Sequence, residues 1–417
     1  MQTQLADFVR DTPDGAEAEA ILRKCVHCGF CTATCPTYQL LGDELDGPRG
    51  RIYLIKQMLE GAAVSERTQL HLDRCLSCRA CETTCPSGVE YGRLLDIGRK
   101  WAEDLAPPRS ALAQARRWAL ANLVARPALF AAAYLVGRRL APMLPGSLVG
   151  KIVPATPRGH WPAPRHARKC MVLRGCAQPA MLPDLNAAAA RLLDRVGVSL
   201  IELRNDGCCG ALRYHLNDQD GGRGDAARLL SAWLPVLERG EVEGIVVTAS
   251  GCSSFIGEYS HLFRDDAPMQ ETAAKVVGVV RDVSELIAQY SSELAAVLRP
   301  PSSQRAMRLA FQSPCSLQHS LRIQGVVERL LKTAGYELVP VADAHLCCGS
   351  AGAYSVLQPE ISAQLRDNKL AALTAADPVG IASANVGCIA HLGGRTRLPV
   401  RHWVEWLADL LPDHSAG

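Results

Sequence analysis

The stretch "KCVHCGFCTATCPT", residues 24–37, returns fifty residues later as "RCLSCRACETTCPS", residues 74–87. Four cysteines and a proline recur in register: Cys25/Cys75, Cys28/Cys78, Cys31/Cys81, Cys35/Cys85 and Pro36/Pro86. Between the copies, Ile52, Ile55, Met58 and Leu59 have helical spacing, and strand-type alternation is absent. Soft thiolates in this pattern suit iron–sulfur or zinc. Zinc sites usually pair their ligands, whereas here a compact triplet is followed by a proline-capped fourth cysteine.

The spacing C-x2-C-x2-C-x3-C-P is that of bacterial ferredoxins, in which the fourth cysteine of each run serves the other cluster. It predicts one [4Fe–4S] cluster on Cys25, Cys28, Cys31 and Cys85, and another on Cys75, Cys78, Cys81 and Cys35. Residues 1–105 then form a helical ferredoxin-like domain. Pro36 and Pro86 are expected to fix the turn after the crossing cysteine. Gly29, Ala33 and Ala80 are expected to leave room for a cluster. His27 reads as a surface residue or one bonding to sulfur, because four thiolates already complete the set. "GDELDGPRGR", residues 42–51, reads as a capped helix start, with Arg49 and Arg51 as lesser candidates for tuning a cluster.

The chain has 417 residues and seventeen cysteines, an odd number in a long chain, which argues against a secreted disulfide scaffold. The acidic N-terminus "MQTQLADFVRDTPDGAEAEA" lacks the apolar core of a signal peptide, so a reducing cytoplasm is expected. Net charge is +3 but uneven. From Leu105 to Pro183 there is no Asp or Glu and there are twelve Lys or Arg, so the rest of the chain carries −9. A cationic arm suggests a polyanionic or acidic partner. Its apolar piece "PALFAAAYLVG", residues 127–137, is too short to span a bilayer and suits a membrane interface, a partner subunit or a packed linker helix.

A second, larger repeat follows. Cys176, Cys208, Cys209 and Cys252 recur as Cys315, Cys347, Cys348 and Cys388. Apolar runs such as "CMVLRGC", "LAFQSPC", "GIVVTASGC" and "GIASANVGC" read as strands ending at a cysteine, with helical patterns between. This predicts duplicated α/β domains over residues 169–300 and 301–417, after a basic helical, Pro-rich connector over 106–168. The fold class is thus α+β multidomain. A boundary between the halves is expected near "LRPPSSQR", residues 298–305. The thiols of each half are expected to converge at strand ends, the edge where α/β domains place ligands, with Cys-Cys-Gly in a tight loop. Cys170 has no counterpart in the repeat and reads as structural.

Cys-x31-Cys-Cys-Gly followed by a distant Cys resembles the cysteine-rich (CCG) domain of heterodisulfide reductase and its relatives. The full form of that motif ends Cys-x-x-Cys and holds a non-cubane cluster. Here Phe255 and His391 stand where that last cysteine would be. His391 is either a ligand or a buried or capping histidine. The order of domains resembles iron–sulfur subunits of respiratory 2-hydroxyacid and glycerol-3-phosphate dehydrogenases. "CVHCGFCTATCPTYQLLGDELDGPRGRIYLIKQ", "HLDRCLSCRACETTCPSGV", "LRGCAQP" and "TASGC" are similar to the iron–sulfur subunit of bacterial glycolate oxidase. The resemblance implies FAD-containing partner subunits that oxidise glycolate, with D-lactate as a second substrate. It implies a quinone or other membrane acceptor, and a complex attached peripherally to the inner face of the cell membrane. No G-x-G-x-x-G opens a βαβ unit, so the flavin belongs to another chain and this subunit binds no substrate. The alternatives are a subunit for lactate or glycerol-3-phosphate, a thiol–disulfide reductase using the paired cysteines, and an iron–sulfur sensor binding nucleic acid. The last lacks a helix-turn-helix or zinc-finger signal, so no nucleic acid is expected.

Overall fold

The structure, a computed structural model, describes residues 1–143, 152–153, 157–203, 206–300, 303 and 307–412. Residues up to 143 contain helices and no strand. Proline at the first helical position starts four of them, Pro13–Lys24, Pro36–Leu41, Pro48–Leu59 and Pro127–Arg139, where its missing N–H costs nothing. The Thr12 side chain caps the first, accepting from Gly15 N, and Ser65 caps Glu66–Asp73 in the same way. Ile52, Ile55, Met58 and Leu59 are all buried and pack with Ile21, Leu22, Leu94 and Leu95. The helix Tyr91–Leu105 closes this domain. Pro86 differs from Pro36: it begins a turn rather than a helix.

Two helices, Ala111–Val124 and Pro127–Arg139, form the connector and meet at 108°. Beyond them, residues 157–167 run without regular structure along the first half. They are held by Trp161 Nε1 on the Leu200 carbonyl (3.3 Å) and by Arg165 on Asp194 (2.7 Å). Residues 154–156 of this linker, and 301, 302, 304 and 305 of the segment between the halves, lie outside the described residues.

Each half is a four-stranded parallel sheet with helices around it. The first contains β1 (Arg168–Val172), β2 (Val198–Glu202), β3 (Gly244–Val247) and β4 (Val280–Asp282) in the order β2-β1-β3-β4. The second contains β5 (Arg308–Gln312), β6 (Glu337–Leu338), β7 (Gly380–Ser383) and β8 (Val400–His402) in the order β6-β5-β7-β8. Of the central strands, β3 and β7 are wholly buried and β1 and β5 are buried over their carboxyl-terminal residues, as parallel sheets covered on both faces require. The chain moves one way from the first strand and the other way afterwards, which opens a crevice at the carboxyl ends. The halves share one apolar core: Val172, Leu193 and Ile287 lie in the same cluster as Phe311, Leu331 and Trp403. Ser250 N donates to the Ala384 carbonyl at 3.1 Å, and the Ser250 and Ser316 hydroxyls lie 2.8 Å apart.

The strands are shorter than the apolar runs suggest. β3 and β7 stop at Val247 and Ser383, and Cys252 and Cys388 sit in the first turn of the following helices, Ser250–Ile256 and Val386–Gly393. Small and polar residues before each cysteine end pairing early and let the helix begin. Cys176 lies in the loop beyond β1, whereas Cys315 begins the helical turn Ser316–Ser320 that follows β5.

Candidate iron–sulfur and thiol sites

The backbone repeats where the sequence repeats. His27 and Gly29 have φ of 55° and 88°, and Ser77 and Arg79 have 52° and 59°. Two left-handed residues in each run curl the chain so that its first three thiols face one space. Left-handed backbone at Arg79 is costly for a side chain that has a Cβ. The repeat makes it legible, because Gly29 occupies the matching position.

Two cavities result. The first, of about 440 Å³, is lined by Cys25, Cys28, Cys31 and Cys85. The second, of about 300 Å³, is lined by Cys35, Cys75, Cys78 and Cys81. Each run thus sends its fourth cysteine to the other cavity; Cys81 also borders the first. Among the described residues, the group whose ligand atoms all lie within 4.8 Å is Asp43, Asp46 and His71. The thiol sets are wider, as a multi-iron cluster needs and a single tetrahedral ion does not. Eight thiols around two cavities fit two [4Fe–4S] clusters. Asp46 is no metal site, since its carboxylate is already taken up by Arg51 at 3.4 Å, His71 at 3.0 Å and Arg74 at 2.8 Å.

The cavities differ in surroundings. Val26 and Phe30, 69% and 60% exposed, rim the first, and Cys28 is exposed. His27 borders it edge-on to Tyr53. Gly29 lines this cavity, and the Arg49 guanidinium lies 3.0 Å from where a Cβ on it would sit. Arg49 pairs with Glu44 at 2.7 Å. The second cavity is lined mostly by buried side chains. Arg51 lines it, fully buried, donating to the His71 carbonyl (2.7 Å) and to Thr37 Oγ1 (3.2 Å). Both arginines of the capped-helix segment therefore border a cavity, a larger role than their sequence context suggests. Burial, and then the neighbouring Cys315, pushes the Cys78 thiol well above its ordinary value.

That neighbour belongs to the second half. Leu76, Cys78, Cys315, Cys347 and Tyr354 share one packed cluster. The Tyr354 hydroxyl donates to the Arg74 carbonyl at 3.1 Å. The first half is tied to the ferredoxin-like domain by charge: Glu258 meets Arg79 at 2.7 Å and Arg93 at 3.3 Å, and Arg264 meets Asp14 at 2.7 Å.

In each half the four thiols form a contact chain. Cys176 meets Cys208, Cys208 meets Cys209, and Cys209 Sγ lies 3.3 Å from Cys252 Sγ. Cys315 Sγ lies 4.0 Å from Cys347 Sγ, which is followed by Cys348 and Cys388. Hydrogen bonds from Cys176 and Cys209 hold the Cys208 thiol well below its ordinary value. The bond to Cys347, with burial, pushes Cys315 up. Gly210 and Gly349 follow each pair at φ of 89° and 85°, and their N–H groups lie 3.4 Å from Cys208 Sγ and Cys347 Sγ.

Neither replacement for the fifth cysteine acts as one. Phe255 packs among the rings of Tyr214, His215 and Tyr259, and the Tyr259 hydroxyl donates to the Cys209 carbonyl at 2.6 Å. His391 Nε2 lies 3.2 Å from Ser362 Oγ, which donates to the Gly349 carbonyl at 2.8 Å. His391 thus steadies the cysteine loop from behind. Each half offers four thiols. Cys170 is buried within β1, 3.9 Å from Glu243 Oε1, and burial raises its pKa to about 12.

A helical domain with two thiol-lined cavities, joined to twin α/β domains with clustered cysteines, defines an iron–sulfur electron-transfer protein. Models of the 4Fe-4S dicluster domain and the cysteine-rich domain match residues 21–89 and residues 170–257 and 309–393, respectively. The chain is 49% identical to the glycolate oxidase iron-sulfur subunit of Escherichia coli (strain K12) over 99% of both chains. It is 30% identical to the probable glycolate oxidase iron-sulfur subunit of Bacillus subtilis (strain 168), over 90% of this chain and 89% of that one. Lactate utilization protein A of Geobacillus thermodenitrificans is 26% identical over 53% of this chain and 88% of its own. The chain belongs to the family of glycolate oxidase iron–sulfur subunits.

Proposed function

We propose that this chain carries electrons from FAD-containing partner subunits, which oxidise glycolate to glyoxylate and accept D-lactate as a second substrate, to a membrane quinone. The observation that carries the reading is the exchange of Cys35 and Cys85 between the two cavities. Cys25, Cys28, Cys31 and Cys85 would hold one [4Fe–4S] cluster, and Cys35, Cys75, Cys78 and Cys81 the other. Such clusters supply one-electron transfer, which a two-electron donor such as reduced flavin needs before a separate acceptor. The exposed apolar rim of Val26 and Phe30 suits a protein partner at the first cavity. Arg51 keeps a buried positive charge beside the second. Cys315 and Cys347 pack against Leu76 and Cys78 of that cavity, and with Cys348 and Cys388 they form the next site inward. Glycolate is favoured over lactate because the similarity to glycolate oxidase subunits runs the full length, and that to the lactate protein covers half of this chain. The complex is assigned to the cytoplasmic face of the membrane.

Cys78→Ser in the assembled complex tests this. The reading expects loss of one cluster and of glycolate-dependent reduction of a quinone, while glycolate still reduces the flavin. Full quinone reduction by the variant overturns it.

A further inference from the structure

We infer that the bent helix pair Ala111–Val124 and Pro127–Arg139 is the element that seats the protein on an anionic lipid surface. This rests on the peripheral attachment proposed above and names the residues that make it. The helix Pro127–Arg139 is mostly apolar, yet none of its residues is buried. Leu129, Leu135 and Val136 are each about half exposed, and Met143 just beyond is 81% exposed. Its neighbour Ala111–Val124 buries one residue, Ala121, and leaves Leu112 and Trp118 about 70% exposed. Folded chains seldom leave a contiguous apolar surface of this kind without a partner.

Charge identifies the occupant. No Asp or Glu occurs from Leu105 to Pro183. Arg109 and Arg117 are used to pin the pair to the body through Asp73, and Arg116 donates to the Val356 carbonyl. Arg126, Arg138 and Arg139 form no ion pair among the described residues. Unpaired arginines beside exposed Leu, Val, Met and Trp are the composition of a helix lying in the lipid headgroup region. An aromatic pair, Phe130 and Tyr134, adds rings of the kind found at that depth. Among the described residues no single helix is long and apolar enough to cross a membrane, and the two helices of the pair meet at 108°. A pair bent this sharply, with arginines at its elbow and its far end, suits a position along the surface.

The elbow supplies a headgroup seat. A recess of about 450 Å³ there is lined by Ala121, Asn122, Ala125, Arg126, Arg213, Asp225 and Arg228. Arg213 and Arg228 share Asp225, and Arg126 brings an unshared charge. Arg213 also pairs with Asp218 at 2.6 Å, so three guanidinium groups face two carboxylates, and the one positive charge left over suits a phosphate diester. The apolar rim at Val26 and Phe30 remains separately available to a protein partner.

The test is flotation of the anaerobically purified, cluster-loaded chain with phosphatidylethanolamine–phosphatidylglycerol vesicles and with phosphatidylcholine vesicles. Binding to the anionic vesicles is expected to be stronger by about tenfold or more, and to weaken by a similar factor between low and high salt. Two variants, R126E/R138E/R139E and L129E/L135E/V136E, should each lose most of that binding while keeping wild-type iron content and dithionite-reducible clusters. Equal binding to both vesicle types, or undiminished binding by both variants, overturns the proposal. So does a result in which the variants lose the flavoprotein subunits rather than the vesicles, which would make the pair a protein interface. Wild-type cluster reduction in every variant keeps the electron-transfer reading separate from this outcome.

Discussion

Thr83 Oγ1 and His319 Nδ1 lie 2.9 Å apart, joining the helix that carries Cys81 to the turn that follows Cys315. His319 Nε2 lies 2.9 Å from the His345 carbonyl, which can only accept, so the proton sits on Nε2 and Nδ1 accepts from the threonine. The threonine hydroxyl also reaches the Ala80 carbonyl at 3.0 Å and divides its proton between the two. The contact fixes the second cavity against the second thiol set, and burial favours the neutral imidazole there.

Acid should loosen this junction. Burial lowers the His319 pKa below its ordinary value, so the unfolded chain binds more protons in the window below about 6.5. The contribution of His319 is complete above that pH and is lost as pH falls through it. The hydrogen-exchange protection factors of residues 80–84 and 316–320, with the intrinsic pH dependence of exchange removed, should fall between pH 8 and pH 5.5 in the native protein. In His319→Gln that fall should shrink.

The crossing of ligands predicts reciprocal losses. Cys35→Ser should remove the cluster of the second cavity, although Cys35 lies in the first run. Cys85→Ser should remove that of the exposed cavity. Each should cost about four irons per chain. Electron paramagnetic resonance of the reduced proteins should show two different surviving signals. If both variants lost the same signal, the assignment by cavity would be wrong.

The Gly349 position leaves no space for a side chain. A Cβ there would lie 2.6 Å from the Ser362 carbonyl oxygen at a φ of 85°. Gly349→Ala should cost about 1–3 kcal/mol, from left-handed strain plus the clash. Gly88 has a φ of 62° but nothing within 4 Å, so Gly88→Ala should cost only about 1 kcal/mol. Thermal melting of the two variants side by side measures the difference.

Arg51 is fully buried beside the second cavity, and its charge favours the more negative, reduced state of a cluster held there. Arg51→Met should lower the potential of that cluster by roughly tens of millivolts, because Asp46 offsets part of the effect. Arg51→Lys should lower it less. Redox titration followed by electron paramagnetic resonance resolves the two clusters. An unchanged potential in the methionine variant would show that Arg51 serves only the fold.

Much of this site is legible from covalent spacing. The offset of fifty between two cysteine runs carries the crossing of Cys35 and Cys85, and the spacing of Cys176, Cys208 and Cys209 carries the twin halves. What spacing does not carry is tertiary. Asp46, His71 and Arg74 reveal their network only when three segments meet over Arg51. His391 reads as a ligand candidate until Ser362, twenty-nine residues away, takes its Nε2. The cysteines after β3 and β7 look like strand ends because the apolar run continues, yet helix capping at Asn385 ends the strand first.

The most direct test of the central claim is anaerobic addition of glycolate to the chain assembled with its flavoprotein partners, followed by absorbance and electron paramagnetic resonance. The account predicts that glycolate bleaches the iron–sulfur absorption and produces reduced-cluster signals, and that neither occurs with this chain alone. Reduction of the flavin with the clusters left oxidised would contradict it.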